Sequence, residues 1–251
     1  MKKHHLNIVR ELSRSDFKLK YYGSPFGLLW SFLKPLLMLI ILYVVFYFFL
    51  GMKVEHYVWH LLLGIIFWNF FSDTTKDVMR SVSAKSHILK NVNIPPFVVM
   101  VSTLLHSFWT FLIGLGVFFA LFFAFGMPLT ASMLLFPLLI IFLVLLTAGI
   151  SLIVIIPAVR FKDFEHLWDV FLQMLFWLTP IAYHYSLVPR PYLSWYLINP
   201  LTRIMVEARE VIFGTIPDFS SLLVTALFAS LIFCIGGGIF KKYGHTIIEY
   251  L

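Results

Sequence analysis

From Asn91 to Val159 this 251-residue chain contains no Asp, Glu, Lys or Arg. Over the whole sequence only 12% of residues are charged, 61% are apolar, and the mean hydropathy is +0.92. Soluble domains carry about 25% charged residues, so most of this surface faces something other than water. The lone Cys234 excludes an internal disulfide. His/Cys metal spacings, paired carboxylates and a nucleophile elbow are missing, which removes the usual starting points for a metalloenzyme or hydrolase. The twelve acidic residues all fall at or beyond the ends of apolar runs, which argues against ion-coupled transport through a mid-membrane carboxylate. His106 is the one titratable group well inside the uncharged stretch, and a packed, hydrogen-bonded histidine is its plain reading. A G-x-x-x-x-G-K-[ST] loop is absent too, and "GGGIFKK" has the wrong spacing for one. If this protein moves something, the energy comes from a separate chain.

What the sequence does contain is hydrophobic runs of membrane length. A spanning helix needs about 20 mostly apolar residues, and helices satisfy their own backbone in lipid. Six runs qualify on reading: 28–50, 57–78, 97–125, 132–157, 167–188 and 217–240. The uncharged stretch would reach roughly 100 Å as one helix at about 1.5 Å per residue, so it folds back, and "GMPLTAS" is its turn. The expected fold is an all-α integral membrane domain with six transmembrane helices, an N-terminal amphipathic interface helix (1–24), and short re-entrant or gate helices at 189–216.

Charge placement sets the expected orientation. Thirteen Lys and Arg precede the first run, follow the sixth, or lie in 79–95 and 158–166, and Lys34 and Lys76, near the matching ends of the first two runs, make fifteen on one side, against only Lys53, Arg190, Arg203 and Arg209 on the other. The positive-inside rule then puts both termini and those two loops in the cytoplasm. The formal charge of +7 therefore reads as topology rather than nucleic-acid binding. Before the first run, Ile8, Val9, Leu12 and Leu19 share a helical face, with Arg10, Arg14 and Lys18 beside it. Gly23 to Pro25 turns the chain into the membrane. The segment from Ser72 to Pro96 reads either as a docking surface or as a solvated loop. Between the fifth and sixth runs, Leu201, Ile204, Met205, Ala208, Val211 and Ile212 form a stripe, with Arg203, Glu207, Arg209 and Glu210 on the remaining faces. Such a helix is either re-entrant or rests on the surface.

Several segments, in order, resemble one family. "YYGSPFGLLWSFLKP" is similar to the entry of the first span in type-2 ABC exporter permeases. "GIIFWNFFSDTTKDVMRSVSAKSHILKNVNIPP" resembles their second span and first coupling loop. "VRFKDFEHLWDVFLQMLFWLTPIAY" resembles their second coupling loop and next span, and "INPLTRIMVEAREVIFG" their outer helix. "RFKD" departs from the usual Arg-Asp, so Arg160 or Lys162 supplies the positive charge there. The resemblance implies an inner-membrane, multi-pass permease working as a homodimer that exports a lipid-linked polysaccharide such as O-antigen, capsule or teichoic acid. ATP and Mg²⁺ would be bound by a separate ABC ATPase, with no cofactor in this chain. It further implies ATPase coupling through Arg10, Arg14, Lys85, Lys90, Asn91, Arg160, Lys162 and Asp163, and an outer gate containing Asn199, Pro200, Arg203 and Arg209.

The 28 Phe, 11 Tyr and 7 Trp fit a sugar conduit, because C–H faces of sugar rings pack on aromatic faces. Tyr43, Tyr47, Trp68, Trp109, Trp177 and Tyr183 are the channel candidates, against the plainer reading of lipid-facing and interfacial aromatics. Rival readings keep the fold with a drug, haem or small-lipid cargo, or make the chain a glycan- or lipid-synthesising enzyme using His106 or His184, or a passive scaffold.

Overall fold

The computed structural model describes residues 3–21, 27–87, 89 and 94–250. The Gly23–Pro25 turn and residues Lys90, Asn91 and Asn93 lie outside them, as do the side chains of Leu19 and Lys20. Helix α1 (Lys3–Tyr21) leads to α2 (Trp30–Tyr43), which widens into a π-helical stretch, Val44–Phe49. Next come α3 (Tyr57–Ala84), α4 (Pro96–Ala124) and α5 (Phe136–Arg160), the last entered through a 3₁₀ turn at Ala131–Leu135. The short helices α6 (Phe164–Leu178), α7 (Arg190–Tyr196) and α8 (Pro200–Ile212) follow, then α9 (Phe219–Tyr243) and a 3₁₀ tail, Gly244–Tyr250. Proline opens α4, α7 and α8, where a missing N–H costs no helical bond.

Among the described residues, four segments are long and apolar enough to cross a membrane: Phe32–Phe49, Pro96–Ala124, Ala131–Arg160 and Phe219–Ile247. The expected six spans are therefore corrected to four, within an all-α membrane protein. The two that drop out fail for different reasons. α3 is long, but Trp59, His60, Asn69, Asp73 and Lys76 break up its apolar character. Neighbouring helices cover it instead: every residue from 61 to 68 is buried, and Leu61, Ile65 and Phe67 anchor the main core. α6 has only 15 residues. At about 1.5 Å each it reaches roughly 22 Å, short of a hydrocarbon core about 30 Å thick. It stops at Thr179–Pro180, where the proline has no N–H to continue the ladder.

The core is layered around α3, with α2, α4 and α5 packed on it and α9 packed along α5. The α5–α9 contact is backbone to backbone. A Cβ on Gly236 would stand 2.3 Å from the Gly149 carbonyl oxygen, and one on Gly149 would stand 2.7 Å from Phe233 Cα. Small residues at such crossings let helices in membranes approach closely. The turn between α4 and α5 uses Gly126 at φ +79, a conformation that disfavours a side chain.

A second cluster closes one end of the molecule, with Val9, Val82, Leu89, Val99, Ile155 and Ile247 packed together. It joins α1 to the far ends of α3 and α5, the start of α4 and the C-terminal tail. Both chain ends therefore sit at the same end, which also carries most of the basic residues. α1 packs on protein with Val9 and Ser13 buried, while Arg10, Arg14 and Lys18 remain exposed.

Candidate functional site

A cavity of about 740 Å³ runs between α2, α3 and α6. Each helix contributes one face at the 3–4-residue spacing that puts side chains in line. α2 brings Trp30, Lys34, Met38 and Ile41; α3 brings Ile65, Trp68, Asn69, Asp73 and Lys76; α6 brings Asp169, Gln173, Phe176 and Trp177. The ring of Trp68 meets Phe176 edge-on at 5.5 Å, and Trp177 stands 57% exposed. The charges lining the groove are paired across it: Lys34 with Asp73 at 3.5 Å and Lys76 with Asp169 at 2.9 Å. Arg80 and Glu165, 3.1 Å apart, tie α3 to α6 just below. The result is an aromatic trough studded with polar groups, without an unpaired acid or base poised for proton transfer. On the other flank of α2 a cavity of about 320 Å³ shares Trp30, Lys34, Asn69 and Asp73 and adds Phe70, Phe111 and Gly114.

The six aromatics singled out from sequence separate into four places. Trp68 and Trp177 line the groove. Tyr43 and Tyr47 stack on each other at 4.8 Å farther along the same helical path, beside a cavity holding Glu55, His56 and Tyr57. Tyr183 donates to the Trp177 carbonyl at 2.8 Å and accepts from Tyr196 at 3.0 Å, closing over the end of α6. Trp109 lies on an exposed face of α4 and joins none of these groups.

α8 is the second focus. Asn199 caps it by accepting from the Leu201 amide at 3.0 Å, and its side-chain amide donates to Thr179 at 3.2 Å, which fixes α8 against the break after α6. Arg203 donates to the Leu197 carbonyl, Ser221 and Thr225, each at 3.3 Å. Ser221 and Thr225, one turn apart on α9, donate to Glu207 at 2.7 and 2.8 Å. The polar faces assigned to α8 from sequence need correcting, because Glu207 and Arg209 are both only 3% exposed. Arg209 reaches under α3 and donates to the His60 carbonyl through Nε (3.1 Å) and Nη2 (2.8 Å), and to the Ile181 carbonyl through Nη2 (3.1 Å). Burial lowers its pKa to about 10, which leaves it cationic at neutral pH. Burial raises the carboxyls of Glu207 and Glu210. Gly64 makes room for the guanidinium, since a Cβ there would stand 2.5 Å from Arg209 Nη2. Sequence reasoning did not pick out Gly64, and the only trace of it was a glycine inside an apolar helix. Ser221 and Thr225 were also missed, although two hydroxyls at i, i+4 entering an apolar helix are a readable polar stripe.

At the basic end, Lys85 bridges to Asp16 at 2.5 Å and so ties the segment after α3 to α1. Arg160 contacts Thr246 at 3.4 Å and lies over the rings of Tyr243 and Tyr250, and Lys162 and Asp163 are exposed in the turn before α6. Arg160 and Lys162 are both exposed positive charges at that turn. Among the described residues no group of three His, Cys, Asp or Glu is arranged to hold a metal ion.

A helical membrane domain with several apolar spans and a charge-paired aromatic groove is the architecture of a membrane transport subunit. Residues 9–213 match the family described as ABC-2 type transporter, and the chain belongs to it. Among characterised relatives, an O-antigen export system permease protein RfbA of Klebsiella pneumoniae is 27% identical over 96% of this chain and 93% of its own length. Its Myxococcus xanthus counterpart is 23% identical over 96% and 94%. The polysialic acid transport protein KpsM of Escherichia coli is 27% identical over 39% of each chain.

Proposed function

We propose that this chain is the membrane permease subunit of an ABC-type exporter that carries a lipid-linked polysaccharide of the O-antigen class out of the cytoplasm. The observation that carries this reading is the end-to-end similarity to O-antigen export permeases, which exceeds the partial similarity to a polysialic acid transporter. The groove supports it physically. Trp30, Trp68 and Trp177 offer faces for sugar rings, while Lys34, Asp73, Lys76, Asp169 and Gln173 offer hydroxyl partners. Because the charges are paired with each other, no single sugar unit is held tightly, which suits a polymer that must keep moving.

In this reading the basic end faces the cytoplasm, where Arg10, Arg14, Lys85, Lys90, Asn91, Lys162 and Asp163 receive a separate ABC ATPase that binds ATP and Mg²⁺. Both termini then lie inside, in the bacterial inner membrane. A homodimer related by two-fold symmetry completes the conduit, with Tyr43 and Tyr47 continuing the aromatic path and α8 standing at the outer exit.

The test is a strain lacking this protein. Lipid-linked glycan should accumulate inside the cell, and export should return with the wild-type chain only when the ATPase is co-expressed. Normal surface glycan in the deletion strain refutes the reading, as does ATP hydrolysis by the purified chain alone.

A further inference from the structure

The geometry points to an anion-binding site at the α8 end of the molecule, shaped for a phosphate-class group and centred on Arg209. A cavity of about 370 Å³ opens there, lined by His56 and His60 from the start of α3, His184 and Tyr185 from the break after α6, and Arg209 and Glu210 from α8. The site is remote from the groove between α2, α3 and α6 and shares no lining residue with it.

Two observations indicate a missing ligand. First, Arg209 is a buried cation whose three hydrogen bonds all go to neutral backbone carbonyls. Among the described residues none of the ion pairs includes it. Of the two acids beside it in sequence, Glu210 is engaged by Tyr185, and Glu207 by Ser221 and Thr225 on the α9 side. A buried charge without a counter-ion is strongly unfavourable, and a polar ligand relieves it. Second, two buried atoms on residues of this cavity wall lack hydrogen-bond partners, Arg209 Nη1 and His60 Nδ1. They come from different helices, and His60 and His184 approach each other with ring centroids 5.6 Å apart.

The chemistry of the wall selects the ligand class. A guanidinium N–H and imidazole N–H groups suit an anion with several acceptor oxygens better than a two-oxygen carboxylate. Two carboxylates also line the wall: Glu55, which pairs with His56 at 3.4 Å, and Glu210. Burial raises the Glu210 carboxyl and Tyr185 donates to it, so its charge is partly offset. This assignment does not depend on the cargo proposed above: the phosphate belongs to a lipid headgroup or to a free anion, and the test separates these.

Purified full-length chain in a neutral detergent is titrated with inorganic diphosphate at constant ionic strength, following thermal stability. In parallel it is placed in nanodiscs of phosphatidylcholine with or without phosphatidylglycerol. A saturable rise in melting temperature with diphosphate identifies a free-anion site, and a rise only with phosphatidylglycerol identifies a headgroup site. In whichever arm responds, Glu210→Gln should tighten binding about three- to ten-fold by removing an opposing charge. Gly64→Ala, which pushes the guanidinium aside without removing it, should weaken binding at least about ten-fold. No saturable response in either arm, for wild type and for Glu210→Gln, overturns the assignment. So does a response that neither variant alters. Because export in cells is not the readout, failure here leaves the permease reading standing, and the reverse also holds.

Discussion

The triple glycine near the C-terminus allows a test with an internal control. Gly236, Gly237 and Gly238 are consecutive residues of α9, so alanine should favour helix at each by about 0.8–1 kcal/mol on propensity alone. Their surroundings differ. A Cβ at Gly237 or Gly238 meets nothing within 4 Å, whereas at Gly236 it stands 2.3 Å from Gly149 O and 3.0 Å from Gly149 C. Ordinary contact begins at 3.4 Å, and 3.4 less 2.3 asks the two backbones to part by about 1.1 Å. Neither partner is a flexible side-chain end, so α5 and α9 must separate along their crossing. A radial gap of about 0.5–1 Å already forfeits a quarter to a half of the dispersion well for the atoms involved. Overpacking of this kind costs about 1–3 kcal/mol. Set against the propensity gain, Gly236→Ala should therefore be destabilising by up to about 2 kcal/mol, and by about 1–3 kcal/mol relative to Gly237→Ala and Gly238→Ala, which share that gain; Gly236→Val should cost more. Melting of detergent-solubilised protein, read as loss of the monodisperse peak after heating, should fall by roughly 2–12 °C relative to those two controls at about 2–4 °C per kcal/mol. Gly237→Ala and Gly238→Ala should match or exceed wild type. If all three alanine variants melt together, the backbone contact between α5 and α9 does not exist.

Three further outcomes are expected. Trp177→Ala should lower surface glycan at normal protein abundance, by about ten-fold if its stacking contact is worth about 1–1.5 kcal/mol, while Trp109→Ala on the exposed face of α4 leaves export within about two-fold of wild type; immunoblots of surface and intracellular glycan decide this. Glu207→Gln should raise the melting temperature more at about pH 8 than at about pH 5: a carboxyl raised by burial favours the folded state while protonated, and that contribution is lost as pH climbs through its folded value. Equal gains at both pH values would refute the burial argument. Lys162→Glu should abolish co-purification of the ATPase while Arg160→Lys retains it, since Lys162 is exposed and Arg160 is engaged by Tyr243, Thr246 and Tyr250; pull-down of the co-expressed ATPase is the readout.

The apolar runs read from sequence include the four helices long and apolar enough to cross a membrane, because burial in lipid and burial in protein both reward apolar side chains there. The same signal misread α3 and α6. α3 is shielded by other helices, so its perimeter tolerates His60, Asn69 and Asp73, and composition alone cannot separate a sheathed helix from a poor span. α6 looked long enough because the apolar residues after Pro180 continue its composition without continuing its helix. Of the three tryptophans lining the groove, Trp30 was not named from sequence as a channel residue, whereas Trp68 and Trp177 were, as faces for sugar rings. Their pairing depended on α3 and α6 lying side by side, held by Arg80–Glu165 and Lys76–Asp169, contacts 85 and 93 residues apart in the chain.

Arg209 shows the deeper limit. In sequence it is one of four charges on a short amphipathic helix, and the helical wheel sends it to solvent with the others. In the fold it is buried because α8 is covered on several sides, by α3, α5 and α9. Hydrophobic periodicity assumes one wet face, and a helix enclosed by others has none. Its charged residues must then be satisfied by groups that no local pattern announces: the carbonyls of His60 and Ile181, the hydroxyls of Ser221 and Thr225, and a glycine at position 64 that leaves the space. The enclosed helix thus carries its polar requirements into the protein interior. Where one of those requirements stays unmet, as at Arg209 Nη1, a ligand rather than another side chain is the natural completion.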